Sequence, residues 1–215
     1  MSRPTAIRIF IADDHPIVRQ GLRRIVEADP GLVISGEAGD AAALLSALET
    51  AATDLVLLDV SMPGGPFLDN LRALRERHPT IRVLVLSVHP EDQWAVRALR
   101  AGASGYLTKD HSPDQLIEAI RRVYRGGKYV SPTLAEQLAT QLDGGGQRAP
   151  HELLSDREFE VMRRLGSGLT VTQIASELAL SAKTVSTYRT RILEKMGVDT
   201  NADLVRYAAR HGLIG

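Results

Sequence analysis

Five polar side chains stand within the first 110 residues where apolar runs stop. Asp13 and Asp14 follow Ile7–Ala12, Asp59 closes Leu55-Val-Leu-Leu-Asp59, Ser87 closes Val83–Ser87, and Lys109 follows Gly105–Thr108. If each run is a strand of one parallel sheet, the five meet at its carboxyl edge, where open α/β sheets bind their ligands. Clustered carboxylates repel one another unless a cation lies among them. Hard oxygen donors with vacant positions suit Mg²⁺, which keeps waters and recruits phosphate oxygens. A phosphoryl group transferred to one carboxylate would then meet Mg²⁺ and an ammonium able to neutralise its oxygens. Asp59 is the natural acceptor, standing alone on the central strand with the Asp13/Asp14 pair beside it to hold metal. Lys109 and the Ser87 hydroxyl supply a cation and a hydrogen-bond donor for the remaining phosphoryl oxygens. A single aspartate at a strand end is ordinarily a helix cap or a turn residue; the order Asp-Asp, Asp, Ser, Lys over successive strands is what points to chemistry.

These positions require a particular scaffold. From Ile7 to about Arg125, short β-rich runs (Ile7–Ala12, Val33–Ala38, Leu55–Leu58, Val83–Ser87, Gly105–Thr108) alternate with helix-period segments. Ile17, Val18, Gly21, Leu22, Ile25 and Val26 are expected to lay one apolar stripe on the sheet. The pattern predicts an α/β, flavodoxin-like doubly wound (βα)5 domain with helices on both faces. Ser112-Pro-Asp-Gln115 offers an N-cap, a first-turn proline and a capping-box glutamine for the fifth helix, which Gly126-Gly127 ends. Pro132–Leu142 has Leu134, Leu138 and Leu142 at spacings for one face of a short helix, and Gly144-Gly-Gly-Gln-Arg-Ala-Pro150 breaks regular structure. The division read here is a phosphoacceptor domain over 1–130, a linker with a possible short helix over 131–150, and a second domain over 151–215.

Composition narrows the classes. The 215 residues are 44% apolar and 24% charged, with 26 basic and 26 acidic side chains, so any charged binding surface is local. No cysteine is present, which excludes disulfides, thiolate metal sites and cysteine nucleophiles. The apolar runs are far shorter than the roughly 20 residues of a membrane helix, and Met1-Ser-Arg-Pro-Thr5 lacks a signal-peptide core, so a cytoplasmic protein without membrane partners is expected.

After Pro150 the segment is punctuated by helix starts. Ser155-Asp-Arg-Glu158 and Thr170-Val-Thr-Gln173 read as capping boxes, and Ser181 and Thr200 as two further caps, giving a small four-helix all-α domain. Its nine basic and eight acidic residues nearly cancel, yet Ser181–Val198 carries Lys183, Arg189, Arg191 and Lys195 against Glu194 alone. At about 100° per residue, Val185, Ile192 and Met196 gather on one side with Leu193 at its border. Lys183, Thr187, Thr190 and Glu194 fall opposite, flanked by Ser186 and Arg191, and this hydroxyl-and-cation surface suits a major groove. Glu194 would repel phosphate, so the helix's C-terminal half tilts away or Glu194 accepts from cytosine. The preceding Val171–Leu178 segment and the Ala179–Ala182 connection complete a helix-turn-helix.

Plainer readings hold elsewhere. His15 could be a phosphohistidine or a ligand, but His15-Pro16 opens a helix, so a first-turn surface role is expected. Trp94 is expected to be exposed or half-exposed, and Tyr188 fits a core as well as a sugar contact. Phosphatases with a nucleophilic aspartate carry a second aspartate two residues on, where this chain has Ser61, so turnover on an external substrate is not expected. A flavin site is disfavoured by carboxylates standing where a phosphate-cradling loop would be.

Ile11-Ala-Asp-Asp-His-Pro16, Leu57-Leu-Asp-Val-Ser-Met-Pro-Gly64, Leu86-Ser87 and Gly105-Tyr-Leu-Thr-Lys-Asp110 make residues 7–125 similar to the receiver domain of two-component response regulators. Leu154–Val161, Thr170–Ala175 and Ser181–Gly197 resemble the LuxR-type four-helix DNA-binding domain, and the combination resembles the NarL/FixJ class. Lys183-Thr-Val-Ser-Thr-Tyr188 is similar to the BvgA, EvgA and RcsB type. The resemblance implies phosphorylation of Asp59 by a sensor histidine kinase and Mg²⁺ held by Asp13, Asp14, Asp59 and the Ser61 backbone carbonyl. Asp14 would be the direct contact, with Asp13 acting through water. It further implies a switch built from Ser87 and Tyr106, in which Tyr106 rotates inward, and DNA contacts from Lys183, Ser186, Thr187, Arg189, Thr190 and Arg191. The implied partners are a double-stranded DNA operator, a second copy of the chain on activation, and RNA polymerase. Dimer contacts would come from the first and fifth receiver helices and from about Asn201–Arg210. Val88 follows the switch serine where many receivers have a smaller residue, which would slow loss of the phosphoryl group. The alternative is a phosphorylation-independent DNA-binding factor or an interaction module with a degenerate receiver.

Overall fold

The structure is a computed structural model that describes residues 6–88, 91–132, 134–136, 139 and 149–214, without the side chains of 91–93. The chain forms two compact units, 1–139 and 140–215.

In the first unit, five strands alternate with five helices: β1 (Ile7–Ala12), α1 (Pro16–Glu27), β2 (Leu32–Ala38), α2 (Ala41–Leu48), β3 (Leu55–Asp59), α3 (Phe67–Arg77), β4 (Arg82–Ser87), α4 (Glu91–Arg100), β5 (Gly105–Thr108) and α5 (Pro113–Tyr124). All pairings are parallel, in the order β2-β1-β3-β4-β5. The expected doubly wound architecture is therefore present, with boundaries that move by one residue at β2, β3 and β4. Because side chains alternate along a strand, Ile9, Ile11, Leu55, Leu57, Leu84 and Leu86 share one face, where Leu22 and Val26 of α1 and Leu116, Ile120 and Val123 of α5 join them in one core. Phe10, Val56, Leu58, Val83, Val85 and Tyr106 have the opposite parity and are also buried. Both faces are thus apolar, as a parallel sheet requires.

The β1–β2 register slips once, passing from Ile9↔Ile34 to Phe10↔Gly36. At Gly36 any side chain would meet Phe10, since an added Cβ falls 2.4 Å from its ring. The capping box at Ser112/Gln115 forms as expected. Ser131 Oγ accepts from the Leu134 N–H at 3.1 Å, residues 134–136 are helical, and Leu134 is buried. Leu138 and Leu142, the rest of that expected helical face, lie outside the described residues.

Two expectations need correction. Trp94 is buried, with 3% exposure, and its ring meets Phe67 edge-on at 5.7 Å. One turn away Ala98 is fully buried, so the small residues of α4 leave room for the indole against α3. Ile17 is 84% exposed. Residues 18, 22, 25 and 26 cluster within one arc of α1, whereas 17 lies about 80° beyond its edge, outside the stripe.

In the second unit, a 3-10 turn (Pro150–Leu153) precedes α6 (Asp156–Gly166), α7 (Val171–Glu177), α8 (Ala182–Met196) and α9 (Asn201–Arg210). All four expected caps form: Ser155/Glu158, Thr170/Gln173 and Thr200/Asp203 as full boxes, and Ser181 through the Thr184 N–H. Val185, Ile192 and Met196 are the buried residues of α8, as its periodicity requires. No helix among the described residues is long and apolar enough to cross a membrane.

Candidate functional site

Strand order reverses between β1 and β3, and the residues at their carboxyl ends meet there. Ala12 pairs with Leu58, so the next residue on each strand sets Asp13 beside Asp59. On the other side, Asp59 pairs with Leu86, and the Lys109 N–H donates to the Ser87 carbonyl at 2.7 Å. With neighbouring strands about 4.8 Å apart, this register alone gathers four of the five residues.

The side chains complete the arrangement. Lys109 Nζ stands 2.6 Å from Asp13 Oδ2 and 3.0 Å from Asp59 Oδ1. Asp13, Asp59 and Ser87 are buried, while Asp14 is partly open to solvent. Donor atoms from Asp13, Asp14, His15 and Asp59 all lie within 4.8 Å of one another. Tyr106 is fully buried on β5, so its ring already occupies an inward position. Val88 stands largely in solvent.

Asp59 is costly to hold here. Burial is the largest influence and pushes its carboxyl up; the Lys109 ammonium and, more weakly, the Ser61 N–H pull it down, and Asp13 adds repulsion. Neither Asp59 oxygen finds a partner of good hydrogen-bond geometry. The Lys109 ammonium, 3.0 Å from Oδ1, and the Ser61 amide offset part of that cost. Burial pulls the Lys109 ammonium down, but Asp13 and Asp59 outweigh it and the pKa is raised overall. One ammonium faces three carboxylates, an imbalance that a divalent cation would relieve. Carboxylate donors with an open side fit Mg²⁺.

His15 is an exposed N-cap residue, as expected, but its ring contributes more than a surface position suggests. Nδ1 lies 2.7 Å from Asp14 Oδ1. Sequence patterning treated it as a helix opener; its immediate adjacency to the acidic pair was the available signal.

In the second unit, Lys183, Ser186, Thr187, Thr190, Arg191 and Glu194 are exposed along α8. Thr187 Oγ1 donates to the Lys183 carbonyl at 3.0 Å and Thr190 Oγ1 to the Ser186 carbonyl at 3.2 Å, which leaves their lone pairs outward. Arg189 is tied down, its Nε donating to Asn201 Oδ1 at 2.7 Å. Lys195, counted in the sequence among the helix's cations, donates to buried Glu158 at 2.7 Å and fastens α8 to α6. Burial pushes the Glu158 carboxyl up, but Lys195 and the Ser155 cap outweigh it and the net shift is downward.

The two units match two known families. Residues 9–121 match the response regulator receiver domain, and 152–208 match the bacterial regulatory proteins of the luxR family. The chain is a response regulator of the NarL/FixJ class. Over 208 residues it is 36% identical to response regulator UvrY of Escherichia coli K12, covering 96% of this chain and 95% of that one. It is 38% identical to response regulator GacA of Pseudomonas viridiflava, covering 97% and 98%. Among solved structures, RcsB from Salmonella enterica serovar Typhimurium, bound to promoter rprA in the presence of the phosphomimetic BeF₃⁻, aligns with a TM-score of 0.73 at 26% identity, over 95% of this chain and 99% of that one. Both matching families of this response regulator are regulatory, and neither is enzymatic.

Proposed function

We propose that this response regulator receives a phosphoryl group on Asp59 from a phosphohistidine of a sensor kinase and thereby gains sequence-specific binding to an operator. The observation that carries the reading is the convergence of three carboxylates at the β1–β3 crevice around a buried Asp59 whose Oδ1 lies 3.0 Å from the Lys109 ammonium. An Asp59 oxygen attacks phosphorus, the P–N bond breaks, and the departing imidazole nitrogen keeps the electron pair and takes a proton from solvent. Lys109 then turns its ammonium from the carboxylates to a phosphoryl oxygen, and the Ser87 hydroxyl donates to another. Asp13, Asp14, Asp59 and the Ser61 carbonyl would hold Mg²⁺, which supplies neutralisation of charge on the phosphoryl oxygens. The product stays on the protein, so the chain acts as a switch and not as an enzyme turning over an external substrate.

The phosphoryl group favours the arrangement in which Ser87 is drawn toward it and Tyr106 stays buried behind, shifting a two-state equilibrium. The altered receiver surface promotes pairing with a second copy. The division is a receiver over 1–130, a linker over 131–150 and the DNA-binding domain over 151–215. On the operator, Lys183, Arg191 and the free nitrogens of Arg189 meet phosphates, while Ser186, Thr187 and Thr190 face base edges. RNA polymerase is the downstream partner, and the cytoplasm is the compartment.

Incubation with Mg²⁺ and acetyl phosphate should add one phosphoryl mass to the full chain, and Asp59→Asn should abolish it. No gain, or a gain that survives the substitution, overturns the reading. Operator binding unaffected by phosphorylation and by Asp59→Asn would favour a constitutive DNA-binding factor.

A further inference from the structure

The carboxylate crevice contains a nitrogen donor that a site for Mg²⁺ alone does not require. His15 caps α1 with an extended backbone, and its N–H donates to Asp13 Oδ1 at 2.8 Å. Its side chain makes no capping hydrogen bond, so the imidazole is not engaged in starting the helix. Instead Nδ1 stands 2.7 Å from Asp14 Oδ1 and 3.5 Å from Asp13 Oδ1. With Asp59 it completes a group of four donors within 4.8 Å of one another. Asp59 gives a further sign of a cationic guest: it is 2% exposed, and apart from the Lys109 ammonium 3.0 Å from Oδ1 its oxygens lack partners of good hydrogen-bond geometry.

Donor chemistry then separates one cation from another. Carboxylate, carbonyl and water suit Mg²⁺, whereas imidazole is a good ligand for first-row transition ions, whose affinity for such sites rises from Mn²⁺ through Co²⁺ to Ni²⁺. We propose that His15 is a nitrogen ligand for divalent transition ions in this crevice and biases the receiver's metal preference away from Mg²⁺ toward Mn²⁺ and Co²⁺. The inference rests on reading the crevice as the metal site of the receiver. The position of His15 at the exposed rim leaves the imidazole able to swing onto an entering ion, while Asp13 and Asp59 stay fixed below it.

The test uses the full chain, with Mg²⁺, Mn²⁺ and Co²⁺ titrated separately by calorimetry against wild type, His15→Ala and His15→Ser. Serine is itself a good N-cap residue, so the second variant separates ligand loss from damage to the start of α1. Removing His15 should weaken Co²⁺ by about tenfold or more, the range seen when a metal site loses a supporting group, and leave Mg²⁺ within about twofold. Pulsed electron paramagnetic resonance of bound Mn²⁺ should show coupling to an imidazole nitrogen in wild type and none in either variant. An unchanged ratio of Co²⁺ to Mg²⁺ affinity, or wild-type Mn²⁺ without nitrogen coupling, overturns the proposal while Mg²⁺ binding stands. If no ion binds the wild type, or if Asp59→Asn weakens none of them, the metal reading of the crevice itself fails, and this inference with it.

Discussion

The receiver crevice and the exposed face of α8 handle charge in opposite ways. In the crevice, Asp13, Asp59 and Lys109 are drawn below the surface, with both carboxylates within 3.0 Å of the ammonium, where water screens little and each group sets the protonation cost of the next. Along α8 the exposed cations stand apart in solvent, and the two basic residues that do touch protein, Arg189 and Lys195, serve packing through Asn201 and Glu158. A buried, imbalanced site concentrates its function in a few residues that cannot be exchanged. An exposed reading surface spreads its function over many small contacts.

Removing Lys109 should have the largest effect of any single change. Lys109→Ala leaves three carboxylates without a cation, and by analogy with broken buried ion pairs it should destabilise the receiver by about 3 kcal/mol. Urea unfolding in EDTA measures this, and Mg²⁺ should restore much of the loss by replacing the missing charge. A variant as stable as wild type in EDTA would mean the carboxylates are better solvated than their burial implies.

On α8 the loss should be smaller and of a different kind. Thr187→Ala together with Thr190→Ala should remove about 1–3 kcal/mol of discrimination between operator and unrelated DNA. Lys183→Ala should weaken all sequences alike and reduce the salt slope by roughly one counterion. Competition binding at several salt concentrations distinguishes the two. A loss of discrimination in Lys183→Ala as large as in the threonine variant would show that Lys183 also reads base edges.

Much of this was legible beforehand, for reasons that are local. Strand ends and helix caps are written in short windows, so the carboxyl-edge order Asp13, Asp14, Asp59, Ser87, Lys109 and the caps at Ser112, Ser155, Thr170, Ser181 and Thr200 could be read directly. Partners brought together by tertiary packing could not. Trp94 meets Phe67 across two helices, and Lys195 meets Glu158 from 37 residues away. Neither pairing leaves a periodic trace. The register slip at Gly36 was equally hidden, since it reflects how Phe10 of the neighbouring strand lies, not the composition of β2.

Asp59→Asn sharpens the contrast further, because it should improve stability while abolishing phosphoryl acceptance. The folded pKa of Asp59 is raised above 3.8, so ionisation costs folding energy. That cost is absent below pH 3.8, grows as pH rises toward the folded value and is fully present above it. The amide avoids it, and Lys109 keeps Asp13 as a partner. In EDTA at neutral pH the variant should be about 1–2 kcal/mol more stable, a typical margin for relieving a functional site. Equal stability at neutral pH would mean that Lys109 fully compensates the buried carboxylate.

The smallest expected effect lies in the turn that sets the angle of α8. Ala179 has φ of 53°, the only positive value at a non-glycine position among the described residues, and it sits where the Leu180 N–H closes back on the Ala175 carbonyl at 2.8 Å. A left-handed alanine costs about 1–2 kcal/mol, and glycine would remove that strain while adding about 0.5–1 kcal/mol of chain entropy to the unfolded state. Ala179→Gly should therefore stabilise the second unit by about 0.5 kcal/mol, a shift of roughly 2–4 °C for a domain of this size. Calorimetry of the full chain resolves this if the two units unfold separately. Because α7 and α8 keep the same closing bond, operator affinity should not change. A gain in stability accompanied by weaker binding would show that the strained turn holds the recognition helix at an angle that glycine lets relax.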